Sequence, residues 1–153
     1  MKNKLTKKTA PKSRQDLELF IDTSQAAEIT IGLRSADNFL VRKKISAPRR
    51  QSEKLLPAID RLLVSQGLIL TRLKKIIVVN QGDSFTALRI GVLTANALAY
   101  ALNIPVVSAN LILGGLNKAK AQTSSDSKSF SGYNIVAPIY NREANIGIAK
   151  LKK

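Results

Sequence analysis

Residues 84–103, with the sequence SFTALRIGVLTANALAYALN, decide the fold of this chain. They predict one long helix, because alanine and leucine dominate the interior and both residues favour helix. The side-chain oxygens of Ser84 and Thr86 can cap free backbone donors at its start. Asn103 and Pro105 are typical of a helix end. The rest of the chain must therefore cover a long and unusually apolar helix.

The predicted helix is apolar on two opposite faces. At 100° per residue, the first face carries Leu88, Val92, Ala95, Ala99 and Leu102. The second face carries Ile90, Leu93, Ala97 and Ala101. Such a helix needs cover on both faces, so it is either sandwiched inside its own domain or presents one face to another protein. A membrane span would need about 20 apolar residues without interruption, and no membrane is expected because polar residues interrupt this one at Arg89, Asn96, Asn103 and Pro105.

Composition narrows the class of protein. The chain has 153 residues, a net charge of +15, no cysteine and no histidine. This length suits one domain with a core. The missing residue types exclude disulfides, most zinc sites and imidazole-based catalysis, and no cofactor is expected. The N-terminus carries charge without a following apolar segment of the signal-peptide kind, so a cytoplasmic location is expected.

Basic residues cluster in two places. The N-terminal cluster consists of Lys2, Lys4, Lys7, Lys8, Lys12 and Arg14. The second cluster, expected within the folded part, consists of Arg42, Lys43, Lys44, Arg49, Arg50 and Lys54. Together they would attract a polyanion such as RNA through counterion release. A solvated basic surface that only adds solubility explains either cluster equally well.

The order of predicted elements is β-β-β-α-β-α-β. Alternating and apolar patterns predict strands over 17–23, 27–33, 39–45, 75–79 and 104–108. An amphipathic pattern predicts a first helix over 52–66, with a cap at Ser52, a first-turn Pro57 and an end at Gly67. A meander followed by two crossovers predicts a mixed five-stranded sheet with helices packed against it.

The expected organisation has four parts. Residues 1–15 form a basic disordered tail, residues 16–116 one lobe, residues 117–134 a flexible loop, and residues 135–153 a final strand with a basic tail.

Several segments together resemble one protein family. They are residues 21–24 (IDTS), 50–59 (RQSEKLLPAI), 84–91 (SFTALRIG), 103–106 (NIPV) and, near the end, 137–143 (APIYNRE). In this order they resemble TsaB, the dimerisation subunit of the bacterial tRNA threonylcarbamoyladenosine machinery. The resemblance implies a single-lobed ribonuclease-H-like fold of the actin-like ATPase superfamily. It also implies a non-catalytic scaffold that supports a TsaD-type transferase and then a TsaE-type ATPase. Such a scaffold can also form homodimers. The substrate of the complex would be tRNA.

The resemblance implies that the two helices carry the partner-binding surface. The residues expected to face the partner are Leu56, Leu63, Ile90, Leu93, Ala97 and Ala101. The chain departs from the family pattern at Gln51, at Gln81-Gly82-Asp83 and at Ala87, and about 25 residues replace most of the family's second lobe.

Other functions are weighed against this one. Gly82-Asp83-Ser84 is similar to the nucleophile block of some esterases, but without histidine no imidazole can accept the serine proton. Nucleotide hydrolysis is not expected, because Asp22-Thr23-Ser24 lacks the glycine that follows in ATP-using relatives. The main alternative is a small basic RNA-binding protein that uses Lys2 to Arg14, although no aromatic RNA-recognition signature accompanies them.

Overall fold

The main sheet has five strands in the order β3-β2-β1-β4-β6. A computed structural model describes residues 16–35, 38–109, 128–130 and 133–141, with side chains from 135 onwards in the last segment. The first three strands, β1 (Leu17–Asp22), β2 (Glu28–Ser35) and β3 (Asn38–Ser46), form an antiparallel meander. The next two, β4 (Leu73–Val78) and β6 (Val106–Ser108), add in parallel beside β1. The predicted β-β-β-α-β-α-β order and mixed sheet are confirmed.

Both long helices pack on the same side of this sheet. They are α1 (Gln51–Ser65) and α2 (Phe85–Leu102), and a short 3-10 turn at Leu70–Arg72 leads from α1 into β4. The predicted inner face of α2 is confirmed, because Leu88, Val92, Ala95 and Ala99 are buried. Alternation in β1 sends Leu19 and Ile21 into the core under the helices and Phe20 to the second side of the sheet.

The ends of the helices differ in part from the prediction. The N-cap of α1 is Arg50, without a side-chain cap bond, so Ser52 is not its cap. The buried Gln51 begins the helix because its amide donates to the carbonyl oxygens of Gln25 (2.6 Å) and Glu28 (3.1 Å). Pro57 is the seventh residue of α1, so it lies inside the helix and not in its first turn as predicted.

Glycine and asparagine end the helices as predicted. Gly67 follows α1 with a φ of +67°, and Asn103 ends α2 with a φ of 52°. These are left-handed conformations that those two residue types adopt more readily than others. At the start of α2, Ser84 is the N-cap, but its side chain makes no cap bond.

The C-terminal part of the described chain pairs in two small sheets. β7 (Lys128–Phe130) and β8 (Tyr133–Ile135) pair antiparallel within the segment interpreted from sequence as a loop. β9 (Ile139–Tyr140) pairs in parallel with β5 (Gln81–Gly82) and does not join the main sheet. Residues 1–15, 110–127, 131–132 and 142–153 lie outside the described residues, so the predicted tails and most of the predicted loop do as well.

The turn after β1 is locked against α2. The hydroxyl of Thr23 donates to the carbonyl oxygen of Ala87 over 2.7 Å, and Thr23 is fully buried. A Cβ atom at Gly91 would lie 2.2 Å from Thr23 Oγ1. One at Gly82 would lie 2.7 Å from the Cβ of Ser24. The Asp-Thr-Ser motif and these two glycines therefore allow the turn, α2 and β5 to approach closely.

We expect Gly91→Ala to destabilise the fold by about 1–3 kcal/mol, because its methyl group overlaps the Thr23 hydroxyl. This loss outweighs the gain of up to about 1 kcal/mol that alanine brings to a helix interior. Urea unfolding followed by circular dichroism measures the difference. The matched test is Gly91→Ala in a Thr23→Ala background, where the added cost should be smaller by about 1 kcal/mol. If Gly91→Ala costs the same free energy of unfolding with and without Thr23→Ala, the proposed contact is contradicted.

Candidate partner-binding surface

The outer face of α2 is apolar and exposed. Leu93 is 66% exposed, and Ala97 and Ala101 are exposed one and two turns further on. They stand four residues apart, so they form one row along the helix. Ile90 lies beside this row, half-buried and packed against the core. Three of the four residues predicted on this helix are thus on the surface, and Ile90 is at its border.

The first helix contributes less than predicted. Leu56 is 51% exposed, as expected, but Leu63 is 1% exposed and belongs to the core, so its assignment to the partner surface is wrong. Both leucines lie at the border of the buried stripe, seven residues apart. Beyond Gly67 the chain turns back, and Leu68 packs against the core cluster that contains Leu63. The C-terminal end of α1 is therefore packed against the following segment, whereas Leu56 near its start stays exposed.

Three further exposed apolar residues extend this surface. They are Val64 (66% exposed), Phe85 (40%) and Tyr100 (67%). The near-continuous apolar composition of α2 indicated such a surface, but not how far it extends. The exposed helix face consists of Leu56, Val64, Phe85, Leu93, Ala97, Tyr100 and Ala101.

An aromatic stack borders the exposed helix face at the start of α2. The rings of Phe85 and Tyr140 stack with centroids 4.0 Å apart and planes 24° apart. The guanidinium carbon of Arg89 lies 4.7 Å from the centroid of Phe85. The segment 137–143 thus supplies Tyr140 to the edge of this surface, a role that sequence spacing could not show.

Two asparagines hold the C-terminal segment in place. Asn96 donates to the carbonyl oxygen of Val136 (2.8 Å) and accepts from its backbone N–H (3.0 Å). The side-chain amide of Asn80 donates to the carbonyl oxygen of Ala137 over 2.8 Å. The backbone carbonyl oxygen of Asn80 accepts from Ile139 N–H over 2.6 Å. Both side chains therefore bind backbone groups that would otherwise lack partners.

A charge cluster joins three strands on the second side of the sheet. Glu18 of β1 accepts from Lys75 of β4, and its other oxygen lies 3.7 Å from Arg34 Nη1 of β2. Glu18 and Arg34 are 6% and 3% exposed. Arg34 also lies over the ring of Phe39, 5.4 Å from its centroid. The charges face one another across the strands, which indicates a structural role.

A cleft of about 660 Å³ opens beside the turn between β1 and β2. Its lining includes Asp22, Glu28, Arg42 and Lys44. Asp22 Oδ1 accepts from Ser24 N–H over 2.9 Å, and Lys44 donates to Glu28 over 2.8 Å. Lys44 and Glu28 thus form an ion pair within the cleft, and Asp22 holds the backbone of the turn. Within the residues that the structure describes, no group of three or more acidic, histidine or cysteine side chains could hold a metal ion.

The Gly82-Asp83-Ser84 segment connects β5 to the start of α2. Ser84 is the N-cap, Gly82 packs against the turn after β1, and Asp83 is exposed and accepts from Asn141 Nδ2 over 3.3 Å. The six predicted RNA-binding residues, Lys2 to Arg14, lie outside the described residues.

By length and composition, α2 is the one helix of the described chain that could cross a membrane. Its 18 residues have a mean hydropathy of 1.4, and 33% of them are buried within the protein. The buried residues line one face, on the main sheet. The core helix of an α/β domain has the same properties.

Solved structures and a family model agree on the class of protein. The chain is 26% identical to YeaZ from Pseudomonas aeruginosa with a TM-score of 0.57, over 62% of this chain and 44% of that one. The chain is also 26% identical to an uncharacterized protein with similarity to peptidase YeaZ, from the same organism. The TM-score is again 0.57, and the match covers 62% of this chain and 43% of that one. RuvC from T. thermophilus, in complex with a Holliday junction substrate, is 14% identical with a TM-score of 0.40, over 61% and 63%. No curated protein matches the chain.

The fold is ribonuclease-H-like, as predicted. The family model described as TsaD: tRNA N6-adenosine threonylcarbamoyltransferase matches residues 44–132, which is more than half of the chain. The protein therefore belongs to this family. The likeness to YeaZ, which is TsaB, confirms the resemblance to TsaB. The chain spans less than half of the length of these YeaZ structures.

We expect Asn96→Ala to release the segment around Val136, because two backbone groups of Val136 lose their partner at a cost of about 1–3 kcal/mol each. Amide hydrogen exchange at Val136 and Ile139 should accelerate, while exchange in the main sheet stays unchanged. Thr94→Ala, on the same helix, is the control and should leave both amides protected. Unchanged exchange in the Asn96 variant would show that other contacts hold the segment.

Proposed function

We propose that this protein is a non-catalytic scaffold subunit in tRNA N6-threonylcarbamoyladenosine formation, and that it supports a TsaD-type transferase. The observation that carries the proposal is the exposed helix face on a chain of this family. A TsaE-type ATPase would join after the pair has formed, and tRNA would be the substrate of the complex. The same proposal places the protein in the cytoplasm, where tRNA is modified.

The exposed helix face has the composition of a protein interface. Leu93, Leu56 and Val64 each expose half or more of their side-chain surface, and contiguous apolar patches of this kind mark interaction sites. Ala97 and Ala101 are exposed on the same face of α2 as Leu93. Since alanine has a small side chain, it lets the backbone of a partner helix approach α2 closely.

The dimensions of this face also fit an interface. Helices of 15 and 18 residues are about 22 and 27 Å long, and neighbouring axes lie roughly 8–10 Å apart. The pair thus offers an area of the same order as the roughly 800 Å² that each partner buries in a stable complex. The same surface on a second copy would allow a homodimer, in competition with the transferase.

The proposed lack of catalysis rests on the available side chains. The chain contains no histidine and no cysteine. The acidic groups near the turn after β1 are committed to neighbours, since Asp22 accepts from Ser24 and Glu28 from Lys44. Both carboxylates thus contribute to local structure, which supports a role as a scaffold.

We expect Ala97→Glu to weaken the complex with a TsaD-type transferase by about 100-fold or more, because it places an unpaired carboxylate within an apolar interface. Size-exclusion chromatography with light scattering of the co-expressed pair measures complex formation. Thr71→Glu is the matched control, since Thr71 is also exposed, lies outside the two helices and gains the same charge.

Circular dichroism should show both variants folded. A one-to-one complex of the wild-type chain that is lost only with Ala97→Glu supports the proposal. If Ala97→Glu assembles as well as the wild-type chain, the exposed helix face is not the interface. If the wild-type chain forms no complex with the transferase, the scaffold function itself is wrong.

A further inference from the structure

We propose a second binding surface, for the phosphate backbone of RNA, on the outer edge of the main sheet. It consists of Arg42, Lys43 and Lys44 on β3, Arg49 and Arg50 in the turn that follows, and Lys54 in the first turn of α1. We call these six residues the basic edge. The proposal rests on the position of these charges and is independent of the pairing with a transferase.

The fold brings the basic edge together at the outer strand of the main sheet. β3 is the outermost strand of the main sheet, so its far side pairs with no other strand of that sheet. Lys43 and Lys44 are exposed, and Arg42 is half-buried. Alternation along the strand sends Arg42 and Lys44 to one side and Lys43 to the other. The cations therefore surround the edge from both sides of the sheet.

Most of this charge is not neutralised within the protein. Lys44 pairs with Glu28 over 2.8 Å, and Arg50 with Glu53 over 2.9 Å. Among the described residues, the other four cations have no carboxylate within ion-pair distance. Lys54 instead donates to the carbonyl oxygen of Ser46 over 2.8 Å, which holds its ammonium group beside the end of β3. The edge thus keeps a local excess of positive charge.

The backbone conformation of Arg49 independently indicates a binding site at the basic edge. Its φ is 56°, and the other non-glycine residue with positive φ in the described chain is Asn103. Arginine is disfavoured in this left-handed conformation, where glycine or asparagine would be relaxed. Its side chain is exposed, and no described residue forms an ion pair with it. A strained position that presents an unused guanidinium group is typical of a binding site.

The start of α1 adds to the positive potential. Arg50 is its N-cap, and the side chain of Arg50 makes no cap bond to the first backbone donors. Free N–H groups and the helix dipole favour phosphate at this end. Positive charge of this kind attracts nucleic acid regardless of its sequence. RNA is favoured over an acidic peptide because the chain belongs to a family of tRNA-modifying proteins and carries a net charge of +15.

The test uses the full chain and two triple variants with equal loss of charge. The edge variant is Lys43→Gln, Lys44→Gln and Arg49→Gln. The control variant is Arg61→Gln, Arg72→Gln and Lys74→Gln, whose three residues are also exposed but do not belong to the basic edge. The probes are a fluorescent transcribed tRNA, a poly(U) RNA and poly-L-glutamate. Binding is measured by fluorescence anisotropy between 50 and 200 mM salt.

We expect the edge variant to bind both RNAs about tenfold or more weakly than the control variant at 100 mM salt. The slope of log affinity against log salt should fall by about 2, since each lost phosphate contact removes about 0.7 from it. Equal losses in the two variants would overturn the proposal, because binding would then follow total charge or the N-terminal lysines. Poly-L-glutamate bound as tightly as RNA, with the same dependence on the edge, would also overturn it.

The two proposals fail separately. The edge variant should still form the complex with the transferase, since none of its three residues belongs to the exposed helix face. Melting temperatures of both triple variants should stay near that of the wild-type chain, which separates lost binding from lost folding. A transferase complex without RNA binding at the edge would reject only this second proposal.

Discussion

The contact between Thr23 and α2 determines how the rest of the molecule is arranged. A hydroxyl donor at Thr23 and the missing side chain at Gly91 bring the end of β1 directly against the helix. Because β1 lies in the middle of the sheet, this contact fixes α2 over the central strands. The rotation of α2 about its own axis follows as well. With Gly91 turned inward, Leu93 and Ala97 must point outward.

The same orientation explains the position of the C-terminal segment. Asn96 lies on a flank of α2 between the buried and the exposed faces, where its amide reaches both backbone groups of Val136. Asn80 performs the equivalent role from the end of β4. Tyr140 is thereby brought against Phe85. A segment distant in sequence thus becomes part of the border of the exposed helix face.

Local pattern was sufficient to predict most of the fold. The alternation in β1 and β2 and the apolar strands β4 and β6 depend on burial on one or two sides, which residue type reports directly. The inner face of α2 followed from helical period alone. The site was predicted less well. Leu63 and Leu56 are equivalent by helical period, but Leu63 is buried in the core near the point where the chain turns back, and Leu56 is exposed. Gln51 and Tyr140 depend on contacts with distant residues, which no local pattern contains.

The exposed helix face and the basic edge lie on different sides of the same domain. α1 separates them, since its N-terminal end carries Arg50 and Lys54 while Leu56 and Val64 belong to the exposed helix face. A protein bound to the outer side of the helices would therefore leave β3 open to solvent. Charge acts over roughly 10 Å at 0.1 M salt, so the basic edge would also draw a polyanion towards a protein bound beside it. The proposed partner and the proposed RNA would therefore occupy separate surfaces of the same domain.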